Sequence, residues 1–186
     1  LLHHPDVKGI SYVGSSKIGR HIYQTAAANG KRVQVLGEAK NHALVLQDAI
    51  IERVAVGIKN SSFGCAGQRC MALPVICVEK AIADELIANL LKTVNEVKIG
   101  PAYDPATDLG PVISAEHKAK VEGWIARGVE EGAELVLDGR GVTVTGYENG
   151  FFIGPTIFDK VKPGMSIGEE EIFGPVMTIY RYEDAD

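Results

Sequence analysis

Apolar positions fall into two alternating patterns, short β-branched runs and longer stretches apolar at every third or fourth residue, and that alternation predicts an α/β fold. The segment SYVGSSKIGRHIYQTAAANGKRVQVLGEAKNHALVL begins as a strand ending at Val13, passes a glycine turn, and continues as a helix with Ile18, Ile22 and Ala26 on one face. Asn29-Gly30 ends the helix, since glycine takes the left-handed conformation of a helix exit without strain. RVQVL and HALVL are apolar enough for buried strands, which completes a βαβ unit. Asp48 is expected to cap a second helix whose inward face is Ile51, Val54, Ala55 and Ile58. PVICVE reads as strand, and 81–97 as a helix turning Ile82, Leu86, Leu90, Val94 and Val97 inward.

GPAYDPATDLGPVIS is too broken by Gly, Pro and Asp for either element, and Ser114 then caps a helix carrying Val121, Ile125 and Val129 before strand ELVLD. In GVTVTGYENGFFIGPTIF, β-branched stretches flank Asn149-Gly150, a hairpin turn signal that predicts an antiparallel excursion. VMTIYRYED is a further strand, and EDAD reads as a helix start. The expected architecture is α/β, a mostly parallel sheet with flanking helices and a small antiparallel excursion. Both ends read as cut: a strand and glycine turn open the chain without the upstream strands they call for, so a longer enzyme is expected around it.

Composition narrows the partners. With 186 residues, 46% hydrophobic and 23% charged, the chain can build a real core. A net charge of -5 and 19 scattered Lys and Arg argue against nucleic acid, which needs clustered cations. No apolar run is long enough to span a membrane, and the start lacks the basic and apolar regions of a signal peptide, so a soluble intracellular protein is expected. Cys65, Cys70 and Cys77 form no CxxC pair and no zinc pattern, and they fit reduced thiols in a cytosol.

The candidate chemistry lies in FGCAGQRCMAL, residues 63–73, and EEIFGPV, residues 170–176. An isolated cysteine is most simply a buried structural residue. A nucleophilic thiol instead needs close substrate approach and donors for a developing oxyanion, and Gly64, Ala66 and Gly67 permit that approach. The run Gly14 to Gly19 between strand and helix suits either an anion at a helix N-terminus or a plain tight turn; it is neither GxGxxG nor a P-loop.

Together these residues resemble the aldehyde dehydrogenase superfamily along essentially the whole chain. YVGSSKIG is similar to its cofactor-side FTGSxxxG turn, FGCAGQRC to its catalytic-cysteine signature, and EIFGP to its ExFGP motif. The resemblance implies an aldehyde-dehydrogenase-like fold in which residues 1–36 end an NAD-binding domain and 37–186 form a C-terminally truncated catalytic domain. It implies that Cys70 is the nucleophile, that Gly14 and Ser15 contact the cofactor phosphates, and that Glu171 hydrogen-bonds the nicotinamide ribose with Phe173 packing nearby. The family's oxyanion Asn would lie upstream of this chain. Cys65 is read as a bystander, His42 as a packing or capping residue, and His3, His4, His21 and His117 as surface residues.

Hydrolytic members carry ELGGK, whose Glu activates the deacylating water; here the stretch is LGEAK, with Leu36 four residues before Lys40. Glu38 could share that strand face, but one pleat repeat displaces it by roughly 6–7 Å. Without the base, the acyl-enzyme is left for a thiol such as coenzyme A. KRVQ, AKNH, GQRCMAL, DGR and GYENGFFIGPTI resemble the coenzyme A-acylating methylmalonate-semialdehyde branch. That branch implies NAD-dependent oxidation of malonate or methylmalonate semialdehyde with decarboxylation, giving acetyl-CoA or propionyl-CoA. Arg69, beside Cys70, is the candidate cation for the substrate carboxylate. A homo-oligomer, dimer or tetramer, in bacterial cytoplasm or mitochondrial matrix is further implied. The alternatives are a hydrolytic aldehyde dehydrogenase and, for the isolated piece, a non-catalytic folding or oligomer-contact module.

Overall fold

The structure is a computed structural model describing residues 1–183. The expected helix start at EDAD falls mainly on 184–186, outside the described residues. The chain divides into two compact units, Leu1–Ala39 and Lys40–Asp186.

In the first unit, β1 (Gly9–Val13) and β2 (Arg32–Leu36) pair in parallel, Gly9 with Arg32 through Val13 with Leu36, and α1 (Ser16–Ala28) connects them. The expected βαβ start is therefore present, but two details differ. Ile18 is exposed, and Gly19 is buried with Ala26 instead. A Cβ on Gly19 would lie 2.5 Å from Val35 Cγ1, so α1 approaches β2 through a position with no side chain. RVQVL is half-buried on one face only, because a single helix covers this two-stranded sheet within the unit. Asn29 ends α1 and Gly30 follows at φ +67°, as expected.

The second unit holds a five-stranded sheet of β3 (His42–Val45), β4 (Val75–Glu79), β5 (Glu134–Leu137), β6 (Thr156–Asp159) and β7 (Val176–Tyr182) in the order β3-β4-β7-β6-β5. All pairs are parallel except β5 with β6. Its helices are α2 (Ile51–Phe63), α3 (Lys80–Val94), α4 (Ala115–Glu130) and the short α5 (Ser166–Glu169). Every residue of β6 is buried, as are the first four of β7, which is why these runs are apolar or neutral except for Asp159 at the end of β6. Asp159, almost fully buried in β6, accepts from Arg181 of β7 at 2.6 and 3.0 Å, and Arg181 also reaches Asp84 of α3 at 2.7 Å. That network compensates a carboxylate that would otherwise be desolvated without a partner.

The antiparallel excursion exists, but it pairs β5 with β6 rather than forming a hairpin at Asn149-Gly150. Residues 138–155 form a long connection closed at its base, where the Gly154 N–H donates to the Gly139 carbonyl at 2.8 Å. Ser114 caps α4 by accepting from the His117 N–H at 3.1 Å. Asp48 does not cap α2, whose N-cap is Ile50 with no side-chain bond. In α4 Gly128, not Val129, faces inward, packed on Phe158 of β6. Val97 lies beyond the end of α3. Among the described residues, no helix is long and apolar enough to cross a membrane.

Candidate active site

The cysteine loop begins where α2 ends, in a single tight turn over Gly64–Gly67. Cys65 (φ +53°), Ala66 (φ +54°) and Gly67 (φ +69°) are all left-handed. Such backbone costs L-residues about 1–2 kcal/mol each and persists only where the surroundings enforce it. Several contacts enforce it here. Ser62 Oγ donates to the Leu73 carbonyl at 2.6 Å, the Gln68 N–H to the Cys65 carbonyl at 3.0 Å, and the Ile113 N–H to Gln68 Oε1 at 3.1 Å. Gly67 abuts the second motif, since a Cβ there would lie 2.1 Å from the Gly174 carbonyl oxygen.

Cys70 follows on the exposed side of this loop. Its carbonyl, and that of Ala72, accept from the Asn41 amide at 2.9 and 2.8 Å. Arg69 turns toward Cys65, with Nε 3.2 Å from its Sγ and the guanidinium over Gly64. It lines a cavity of about 250 Å³ with Lys59, Asn60, Phe63, Asp108 and Leu109. Among the described residues Arg69 forms no ion pair with a carboxylate. Cys77 lies in β4, where burial pushes its thiol up.

In the second motif, buried Ile172 anchors the turn between half-buried Glu171 and Phe173, and Phe173 is left-handed at φ +58°. The Phe173 carbonyl lies 2.7 Å from His117 Nε2; a carbonyl can only accept, so Nε2 carries the proton. His117 is thus a half-buried loop contact rather than the expected surface residue. His42 has its Nδ1 2.8 Å from the Lys40 carbonyl, a local packing role, whereas His3, His4 and His21 are exposed as expected.

Nothing in the sequence marks Lys40 or Asn41 as a site residue. Lys40 Nζ donates to the Ile167 and Glu170 carbonyls at 2.9 and 2.6 Å. Burial pulls its ammonium down to about 8, against the opposing charges of Glu171 and Glu170. Below that value folded and unfolded chains both hold the proton; between it and the ordinary 10.5 only the unfolded chain does, so stability rises with pH through this window. Wild type is therefore expected to gain stability relative to Lys40→Met between about pH 7 and about pH 10. Urea midpoints of both proteins at the two values check this, and a constant gap would mean an ordinary lysine.

In the first unit, Gly14 and Ser15 stand between β1 and α1. Ser15 is the N-cap, its side chain makes no capping bond, and no acidic residue occupies the first turn of α1. A Cβ on Gly14 would meet the Tyr12 hydroxyl at 2.4 Å. The Gly14 N–H is committed to the Leu36 carbonyl at 3.1 Å, so what fits a phosphate here is the unpaired N–H groups that open α1 and the uncommitted Ser15 hydroxyl. Leu36 is the last residue of β2, so Glu38 lies past the strand, and the expectation that it could share Leu36's face does not hold. Its N–H is bonded to Ser16 Oγ at 3.2 Å.

An exposed cysteine on a strained small-residue loop, seated against an ExFGP turn in an α/β unit, defines a class. Residues 1–186 match the aldehyde dehydrogenase family, and the chain belongs to that family. It is 48% identical over 182 residues to the malonate-semialdehyde dehydrogenase of Pseudomonas aeruginosa, covering 97% of this chain and 37% of that relative. A solved methylmalonate-semialdehyde dehydrogenase from Oceanimonas doudoroffii matches with TM-score 0.95 and 44% identity, over 99% of this chain and 38% of that one. A Mycobacterium tuberculosis aldehyde dehydrogenase complexed with NAD+ matches with TM-score 0.92 and 36% identity, again over 99% and 38%. The chain spans about 38% of the length of these proteins.

Proposed function

We propose that Cys70 is the nucleophile of an NAD-dependent, coenzyme A-acylating dehydrogenase that oxidises malonate or methylmalonate semialdehyde with loss of carbon dioxide. The observation that carries this reading is the seating of Gly67 on the Gly174 carbonyl, which brings the loop of Cys70 against the turn of Glu171 and Phe173 within one unit. The names of the relatives support the substrate, and the NAD+ complex of one neighbour supports the cofactor. On this reading residues 1–36 belong to the cofactor-binding domain and 37–186 to the catalytic domain, three residues from the boundary between the compact units.

The Cys70 thiolate adds to the aldehyde carbon, and its own N–H is the candidate oxyanion donor, a kind of contact worth ~100- to 1000-fold in rate. Arg69 holds the substrate carboxylate, for which it has no competing ion pair among the described residues. Glu171 would hold the nicotinamide ribose with Phe173 beside it, and Gly14 with Ser15 would hold the phosphates. NAD, when bound, would supply the acceptor for the hydride lost from the carbon that Cys70 has attacked, a loss that leaves that carbon as the thioester. Leu36, an apolar residue at the position of the deacylating base, favours a thiol over water in the second half-reaction. The enzyme is read as a homo-oligomer, and its bacterial relatives favour bacterial cytoplasm over the mitochondrial matrix.

The test uses a polypeptide of the relatives' full length containing this chain. NADH formation from malonate semialdehyde is expected to depend on coenzyme A, with acetyl-CoA identified by mass. Release of free acid at the same rate without coenzyme A would make the enzyme hydrolytic.

A further inference from the structure

Lys40 and Asn41 are neighbours in the sequence, yet their side chains grip different motifs. Asn41 spends both amide hydrogens on the carbonyls of Cys70 and Ala72, at 2.9 and 2.8 Å. A fixed Cys70 carbonyl fixes the peptide plane that follows it, and so restricts the direction in which the Cys70 side chain leaves the backbone. Lys40 spends its ammonium on the carbonyls of Ile167 and Glu170, at 2.9 and 2.6 Å, at the exit of α5 where a cation is favoured. Glu170 directly precedes Glu171. The two side chains leave consecutive backbone positions just ahead of β3, and His42, the next residue, is registered against Val75 of β4. The dipeptide is therefore tied to the sheet on one side and to both functional loops on the other.

We infer that Lys40 and Asn41 are positioning residues that together set the placement of Cys70 relative to the Glu171–Phe173 turn, Asn41 aligning the nucleophile and Lys40 the cofactor contact. This assignment rests on the function proposed above. It divides the labour in a way a general stabilising role does not. Loss of Asn41 disturbs the thiol and leaves the cofactor turn alone; loss of Lys40 does the reverse.

The experiment is made on the full-length polypeptide that contains this chain. Misplacement of a reacting group by about 1 Å costs up to ~100-fold, so Asn41→Ser is expected to lower kcat ~10-fold or more, with the Kd for NAD, measured by equilibrium dialysis, within about twofold. Lys40→Met is expected to raise that Kd ~10-fold while the rate of Cys70 alkylation by iodoacetamide, read by peptide mass spectrometry, stays within about twofold, and Lys40→Arg is expected to restore binding. Asn41→Gln keeps the donors but shifts them by one methylene; it should reproduce the kcat loss at unchanged Tm, which separates alignment from folding. Equal effects of both substitutions on kcat and Kd, in proportion to a loss of Tm, would overturn the assignment, as would no effect of either. If the parent protein neither binds NAD nor oxidises a semialdehyde, the functional reading fails. The Asn41 half is still decided by alkylation, where an unchanged Cys70 rate in Asn41→Gln overturns it and a rate altered fivefold or more supports it.

Discussion

Replacing Cys70 with alanine is expected to abolish aldehyde oxidation, with kcat falling by roughly 10^4-fold or more, the scale seen when a covalent nucleophile is removed. The expectation is specific to one of three thiols. Cys77 sits in β4, where burial pushes its thiol up and away from the thiolate that attack requires. Cys65 is exposed on the same loop, but it occupies left-handed backbone and its sulfur is engaged by Arg69 Nε at 3.2 Å. Alanine is already accommodated in the same conformation one residue later, at Ala66, so Cys65→Ala adds little strain and should retain most of the activity. The measurement is NADH absorbance from the full-length protein under saturating NAD and aldehyde. Turnover of Cys70→Ala within tenfold of wild type would exclude this cysteine as nucleophile, and a loss in Cys65→Ala comparable to that of Cys70→Ala would move the role to Cys65.

Most strands and helices were legible in the sequence because their apolar periods are strong. Leu86, Leu90 and Val94, or Val121 and Ile125, leave little choice of face once helical spacing is assumed, and all are buried. The misassigned helix faces share one cause. At Gly19 and Gly128 a helix packs through a glycine, against Val35 in one unit and Phe158 in the other. Glycine carries no hydropathy signal, so the pattern assigned the inward positions to Ile18 and Val129, each one residue away. Close approach also governs the misplaced hairpin, where Gly139 and Gly154 meet backbone to backbone and leave Asn149-Gly150 as a turn in a long connection.

The candidate site is marked in the sequence by its motifs and unmarked in its supports. Cys70, Glu171 and Phe173 stand in short contiguous patterns. Lys40, Asn41 and His117 act on backbone carbonyls 127 and 130, 29 and 31, and 56 residues away respectively. A carbonyl is present at every position, so no residue type at the far end marks the partnership. The only local signal was a polar Lys-Asn pair immediately before a strand, where solvent is the simpler expectation.

The close approach of Gly67 to Gly174 yields the largest expected effect on stability. Gly67 has φ +69°, and its missing side chain leaves the space the Gly174 carbonyl fills: a Cβ would lie 2.1 Å from that oxygen and 2.5 Å from its carbon. Relief is not available by rotating a side chain, because the obstruction is backbone on both sides. The oxygen cannot retreat freely either, since Gly174 is itself packed against Val121 of α4 and the Gly174 carbonyl accepts from the Val176 N–H at 2.8 Å. Gly67→Ala must therefore part the two loops or abandon the left-handed turn, and a loss of about 3 kcal/mol or more is expected from strain and overpacking together. Gly123 provides the contrast. It lies exposed in α4, with nothing within 4 Å of a built Cβ, and alanine there should add about 0.5–1 kcal/mol through helix propensity. Urea denaturation of both variants tests the pair. If Gly67→Ala unfolds at the wild-type midpoint, the two motifs are not in backbone contact, and the observation on which the proposed site rests is lost.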